Sequence, residues 1–99
     1  MVSRPLSHVL VKNRFEDLVA EWICVNDGDT PGQAYLQFVR TGGRIVRGAI
    51  LTVAPGASVP LSVTWNLKQR LSNSAIRLEM IQDADGAIIG EHHFSLTVN

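Results

Sequence analysis

Hydrophobic and polar positions in this chain alternate over short runs and never settle into a helical repeat. No window of a dozen or more residues holds a clean apolar stripe at i, i+3, i+4 and i+7. Clusters of Gly, Pro, Asn and Asp interrupt the alternation about every ten residues, which is the spacing of an all-β sandwich or barrel. The pattern predicts seven strands. The first covers 7–12 and the second 18–26, with Ala20, Trp22 and Cys24 on one face. The third covers 33–40, with Ala34, Leu36 and Phe38 inward. Thr41-Gly42-Gly43 then makes a tight hairpin into a fourth strand at 44–53, where Ala49, Leu51 and Val53 are in phase. The fifth, 58–65, sets Val59, Leu61, Val63 and Trp65 against Ser58, Pro60, Ser62 and Thr64. Pro60 cannot donate to a ladder, so this strand lies at an edge or carries a bulge. Over 66–73 the alternation lapses. Asn66 can cap a helix there, and Leu67 and Leu71 stand four apart, so one short helical turn is predicted. The sixth strand covers 74–82 and opposes Ile76, Leu78 and Met80 to Arg77 and Glu79. The seventh covers 87–98, and Gly90 in its middle predicts a bulge.

Composition agrees with strands. Val, Ile and Thr make up 23 of 99 residues, and β-branched side chains pack well on a pleated surface. The apolar fraction of 45% supports one core rather than disorder, and the length allows one domain. Residues 7–99 are therefore expected as a single β-sandwich domain, with 1–6 as an N-terminal arm that docks on a neighbour. Cys24 is the single cysteine, which leaves no disulfide within the chain and no cysteine zinc cage. It lies in phase with Trp22 and reads as a small buried hydrophobe. No run of about 20 apolar residues is present to span a membrane. The first eleven residues lack the apolar stretch of a secretory signal, so a cytoplasmic or virion-associated protein is expected over a Sec-exported one. Nine basic and nine acidic residues cancel, which argues against nucleic acid as a partner.

Several turn and core motifs are similar to those of CARDB-type domains, the bacterial cell-adhesion-related β-sandwiches. Asn26-Asp27-Gly28-Asp29-Thr30-Pro31-Gly32 resembles the family's Asn-x-Gly-(Asp)-x-Pro-Gly loop. Leu51-Thr52-Val53-Ala54-Pro55-Gly56-Ala57-Ser58 resembles its Ala-Pro-Gly turn, and Val63-Thr64-Trp65 its strand ending in Trp. The later strand from Ile76 closes on Asp83 as the family's does, so the likeness covers about 18–86. Gly90-Glu91-His92-His93 stands where the family has an acidic, Asn-rich segment. The resemblance implies a non-catalytic module used in adhesion or as an accessory domain. With the strand spacing, the expected fold is all-β: a seven-stranded immunoglobulin-like antiparallel sandwich with one short helical turn near 66–73.

Candidate chemistry is sparse. The chain has no Gly-x-Ser-x-Gly elbow, P-loop or dinucleotide-binding fingerprint. No catalytic residue, cofactor or metal is therefore assigned, and the protein is not expected to be an enzyme. His92 and His93 are adjacent on a strand and face opposite ways, while Glu91 and His93 share a face that His8 joins if the first and last strands pair. Trp22 and Trp65 fall in phase with core positions. Tyr35 falls out of phase with Leu36 and Phe38 and is the aromatic expected at the surface.

Charge placement carries the sharper expectation. In a sandwich of this order, Asp27, Asp29, Asp83 and Asp85 occupy loops at one end. Arg14, Arg40, Arg44, Lys68 and Arg70 occupy the connections at the other, against Glu16 and Asp17. The zero net charge then hides two opposite ends. The expected function is a structural or protein-interaction module. It would be a small subunit of a larger assembly, such as a virion or surface appendage, associating as a homo- or hetero-oligomer through its loop ends. A second reading is a carbohydrate- or surface-binding accessory module that uses Tyr35 and the four aspartates, with calcium. Aspartate turn chemistry accounts for those aspartates without a metal.

Overall fold

The computed structural model describes residues 9–99. The expected arm at 1–6 lies outside the described residues, as do the first two positions of the first predicted strand. Eight strands follow one another: β1 (Val9–Lys12), β2 (Asp17–Val25), β3 (Gly32–Arg40), β4 (Arg44–Arg47), β5 (Leu51–Val53), β6 (Ser58–Asn66), β7 (Leu71–Gln82) and β8 (Ala87–Val98). Six form one sheet in the order β1-β8-β7-β3-β4, with β5 also on β3. β2 and β6 pair antiparallel as a second, two-stranded layer. The fold is all-β, with the core between the layers. Leu18 and Cys24 from β2 and Leu61, Val63 and Trp65 from β6 meet Leu36, Phe38, Ile76, Leu78, Met80 and Leu96 from the larger sheet. Most of these are positions that period-two alternation placed inward, whereas Ala49 and Leu51, read in phase with Val53, are exposed.

The structure corrects three expectations. The predicted fourth strand is two, because β4 and β5 pair with the same edge of β3 but out of step. Gln37 faces Arg47 while Ala34 faces Leu51, so this side carries one extra residue. The slip occurs at Gly48, whose N–H donates to the Leu36 carbonyl at 2.8 Å. A Cβ there would run into the Ser62 carbonyl oxygen. The slip also changes phase, so that Val46 before it and Val53 after it both face the core.

The second correction is the helical turn at 66–73, which is absent. Leu67 and Leu71 are buried, but on extended chain. Leu67 donates its N–H to the Glu16 carbonyl at 2.9 Å and accepts from the Phe15 N–H. Asn66 does not cap; its Nδ2 donates to Asp17 Oδ1 at 2.9 Å. Helical spacing of two leucines was satisfied by a chain that plugs the end of the sandwich. Third, the sandwich is not wholly antiparallel, since β1 runs parallel to β8. A parallel pair needs a long connection, and here the rest of the domain supplies it. The predicted bulge at Gly90 is present: Met80 faces Gly90, but Ile81 faces Ile88. The Trp22 ring packs close against Gly90, where a Cβ would sit a tight 3.2 Å from it.

Asn26 fixes the long loop after β2. Its Nδ2 donates to the Thr30 and Val53 carbonyls at 2.8 and 2.9 Å, and its Oδ1 accepts from the Gly28 N–H at 3.0 Å. Its main chain exchanges hydrogen bonds with Gly56 and Ala57. The Asn-Asp-Gly loop and the Ala-Pro-Gly turn are thus one knot at the same end of the sandwich.

Candidate functional site

Strand directions sort the loops into two ends. The β2–β3 and β7–β8 loops share one end, tied by the Asp83 N–H donating to the Gln33 carbonyl at 2.9 Å. They carry Asp27, Asp29, Asp83 and Asp85, all exposed. The opposite end gathers the β1–β2, β3–β4 and β6–β7 connections. It is stitched by Phe15 to Leu67, Arg14 to Asn99 and Thr41 to Ala75. It carries Arg14, Arg40, Arg44, Lys68 and Arg70. Among the described residues none of these nine side chains forms an ion pair; the charged contacts join Lys12 to Glu16, Arg77 to Glu79 and His93 to Glu91. The twelve-residue strands β7 and β8 run between the ends, a span of about 40 Å at the usual rise per residue.

The four aspartates share an end but do not form a cation cage. Among the described residues no three His, Cys, Asp or Glu side chains converge to hold a metal ion. Asp85 Oδ1 accepts from the Ala87 N–H at 3.1 Å, which is turn chemistry.

Tyr35 is the residue most displaced from expectation: it is 8% exposed. β3 lies inside the sheet, with β7 on one side and β4 and β5 on the other, so its outward side chains are flanked on both sides. Ile81 stands opposite Tyr35, and the Arg47 guanidinium lies 5.5 Å from its ring centre. The exposed aromatic is instead Phe15, at 73%, in the basic end beside Arg14. Its φ of 72° is in the left-handed region, which a bulky side chain rarely adopts. The Phe15–Leu67 and Leu67–Glu16 main-chain bonds hold it there. Its place in a turn, outside any strand phase, was the available signal.

The outward face of the large sheet holds a polar network that alternation alone did not reveal. Gln37 and Glu79 lie opposite each other on β3 and β7, 8% and 4% exposed. Gln37 Nε2 donates to Glu79 Oε1 at 2.8 Å, and Arg77 Nε donates to Glu79 Oε2 at 3.2 Å. Gln37 Oε1 is buried without a partner among the described residues. The unbroken buried run from Ala34 to Val39 is what marks a strand covered on both faces. Beyond it Glu91 and His93 touch on the outward face, while His92 turns inward and stacks on Phe94. His8 lies outside the described residues. Burial pushes the Cys24 thiol above its ordinary range, so it stays protonated at neutral pH and behaves as the small hydrophobe expected.

No family model matches the chain, and no curated protein matches it. Among the solved structures similar to it are these two. One is the Pseudomonas fluorescens alkylpurine DNA glycosylase AlkC bound to DNA containing an abasic site analog, with 12% identity and a TM-score of 0.62. That likeness covers 87% of this chain and 27% of the other, so the chain spans about a quarter of that enzyme's length. The other is the NK cell receptor Nkp44, a triggering partner in natural cytotoxicity, with 13% identity and a TM-score of 0.54. It matches over 94% of this chain and 98% of the receptor. At such identities the likeness is one of fold. No helix among the described residues is long and apolar enough to cross a membrane.

Proposed function

We propose that this chain is a non-catalytic, immunoglobulin-like interaction module, a small subunit of a larger protein assembly such as a virion or surface appendage. It associates end to end, the acidic loops of one copy against the basic end of the next. One observation carries the reading: four aspartates and five basic side chains stand on opposite ends of the strands, and none is paired within the described chain. Unpaired charge of complementary sign steers encounter and fixes register. A contact between unlike ends repeats into a ring or a filament. Phe15 adds an aromatic anchor to the basic end, and aromatic and Arg side chains dominate binding energy at interfaces. Kinship with CARDB-type domains is proposed on the Asn26 knot, where the two turn motifs meet. The near full-length likeness to a receptor supports the sandwich fold of the module. The calcium-dependent carbohydrate reading has lost its aromatic, because Tyr35 is buried.

Charge exchange between ends tests the proposal. Sedimentation of the native chain should show self-association at low salt that weakens at least tenfold near 0.5 M, where the screening length is only about 4 Å. Asp83→Lys with Asp85→Lys should abolish it, as should Lys68→Glu with Arg70→Glu. Mixing the two double variants should restore pairwise association, because the first keeps its basic end intact beside a neutralised acidic one and the second keeps its acidic end intact. A chain that stays monomeric at all salt concentrations overturns the reading. So does a basic end that takes a single-stranded oligonucleotide in preference to a second copy.

A further inference from the structure

Two strands do not cover six. β6 lies over β3 and β4, and β2 reaches over β3. Beyond the outer edge of β2, the inward face is only half covered at Leu10 of β1 and at His92 and Phe94 in the middle of β8, all half-buried, whereas Leu96 and Val98 further along β8 are buried. A cavity of about 180 Å³ opens there, walled by Leu10, Leu18, Ala20, Phe38 and Phe94, with the His92 ring at its side. The backbone edge beside it is free among the described residues, since every β2 residue pairs with β6 on the other side. On the outward face of β2, Val19, Glu21 and Ile23 are exposed in alternation. Their neighbours on β6 are Thr64, Ser62 and Pro60, so Glu21 faces no basic side chain across the ladder.

We propose that this gap is a docking site for one extended strand of a partner protein, which pairs with β2, sets a large apolar side chain in the cavity and places a basic side chain opposite Glu21. The gap lies beside a strand edge, so an extended segment that enters it can pair with β2. Main-chain hydrogen bonds along such an edge give affinity, and alternate side chains give selectivity. The cavity accepts inward side chains, and Glu21 selects charge on the outward ones, as opposite charges stabilise when directly across a ladder. This surface is separate from the two loop ends and stands whether or not they associate.

The test uses the full chain and a blocked synthetic peptide, Thr-Val-Lys-Phe-Thr-Leu-Ser, with Val, Phe and Leu on one face and Lys on the other. The peptide should bind saturably and slow hydrogen exchange of the outward-edge amides of β2 by tenfold or more. Ala20→Phe fills the cavity and should abolish binding. Glu21→Lys, at an exposed position that leaves packing intact, should weaken it about fivefold. A peptide with Glu in place of Lys should recover that loss. No binding to the full chain overturns the proposal, as does binding that neither variant changes. Binding that appears only after residues 1–8 are removed assigns the gap to the chain's own N-terminal residues and also overturns it. Concentration-dependent protection of β2 without peptide does the same in favour of a second copy.

Discussion

Asn26 shows how much one polar side chain can hold. It satisfies two carbonyls and one N–H across the loop after β2 and the turn before β6. Asn26→Ala leaves the Val53 carbonyl without this donor in a partly buried site, so a loss of about 2 kcal/mol is expected. Denaturant unfolding should show it as a lower midpoint at unchanged slope. Cys24 gives a residue-scale pH effect. Its thiol ionises at higher pH folded than unfolded, because burial disfavours the thiolate. Its contribution to stability is therefore complete below the unfolded value and is lost as pH rises through the folded one. The native chain should lose stability above about pH 9 in a way that Cys24→Ala does not, measured by thermal melts at stepped alkaline pH. Cys24 was legible from its phase with Trp22. Tyr35 was not, because alternation reports which face a side chain takes and says nothing of how crowded that face is. Burial of Gln37 and Glu79 was hidden for the same reason: a charged residue in outward phase reads as solvated until its lateral neighbours are known.

Elements differ in how far their sequences determined them. β2, β3, β6, β7 and β8 stand within a few residues of where period-two alternation put them, since each turns one apolar face to the core. β4 and β5 were read as one strand, because a one-residue slip leaves no mark in composition beyond Gly48. The helical turn failed for a related reason: Leu67 and Leu71 satisfy a helix and a plugged sandwich end equally well, and tertiary hydrogen bonds to 15–16 decided. Gly48 carries the clearest element-scale prediction. Gly48→Ala sets a methyl against the Ser62 main chain, which can yield only by moving β6 away from β4. Overpacking of this kind costs about 1–3 kcal/mol. The substitution should lower the melting temperature, and amides of β6 should exchange faster than those of β7.

At the scale of the whole molecule, the sum of charges misleads and their placement informs. Zero net charge shows no basic excess in the sum, yet strand direction collects unlike charges on ends about 40 Å apart. The sorting was legible in the sequence because it needs only the order of strands and loops, which survived the split of β4 from β5. The uneven layers were not legible, since alternation is the same whether two strands or four lie over the large sheet. The parallel pairing of β1 with β8 adds a mechanical property. β1 enters and β8 leaves in the same direction, with Val9 beside Ser95 and Lys12 beside Val98. A pull that draws Val9 back and Val98 forward slides the two strands along each other. The bonds between them are then loaded together in shear, where a hairpin pulled at its open end would unzip them one at a time. Tension along the strand axis thus meets this pair in its most resistant geometry.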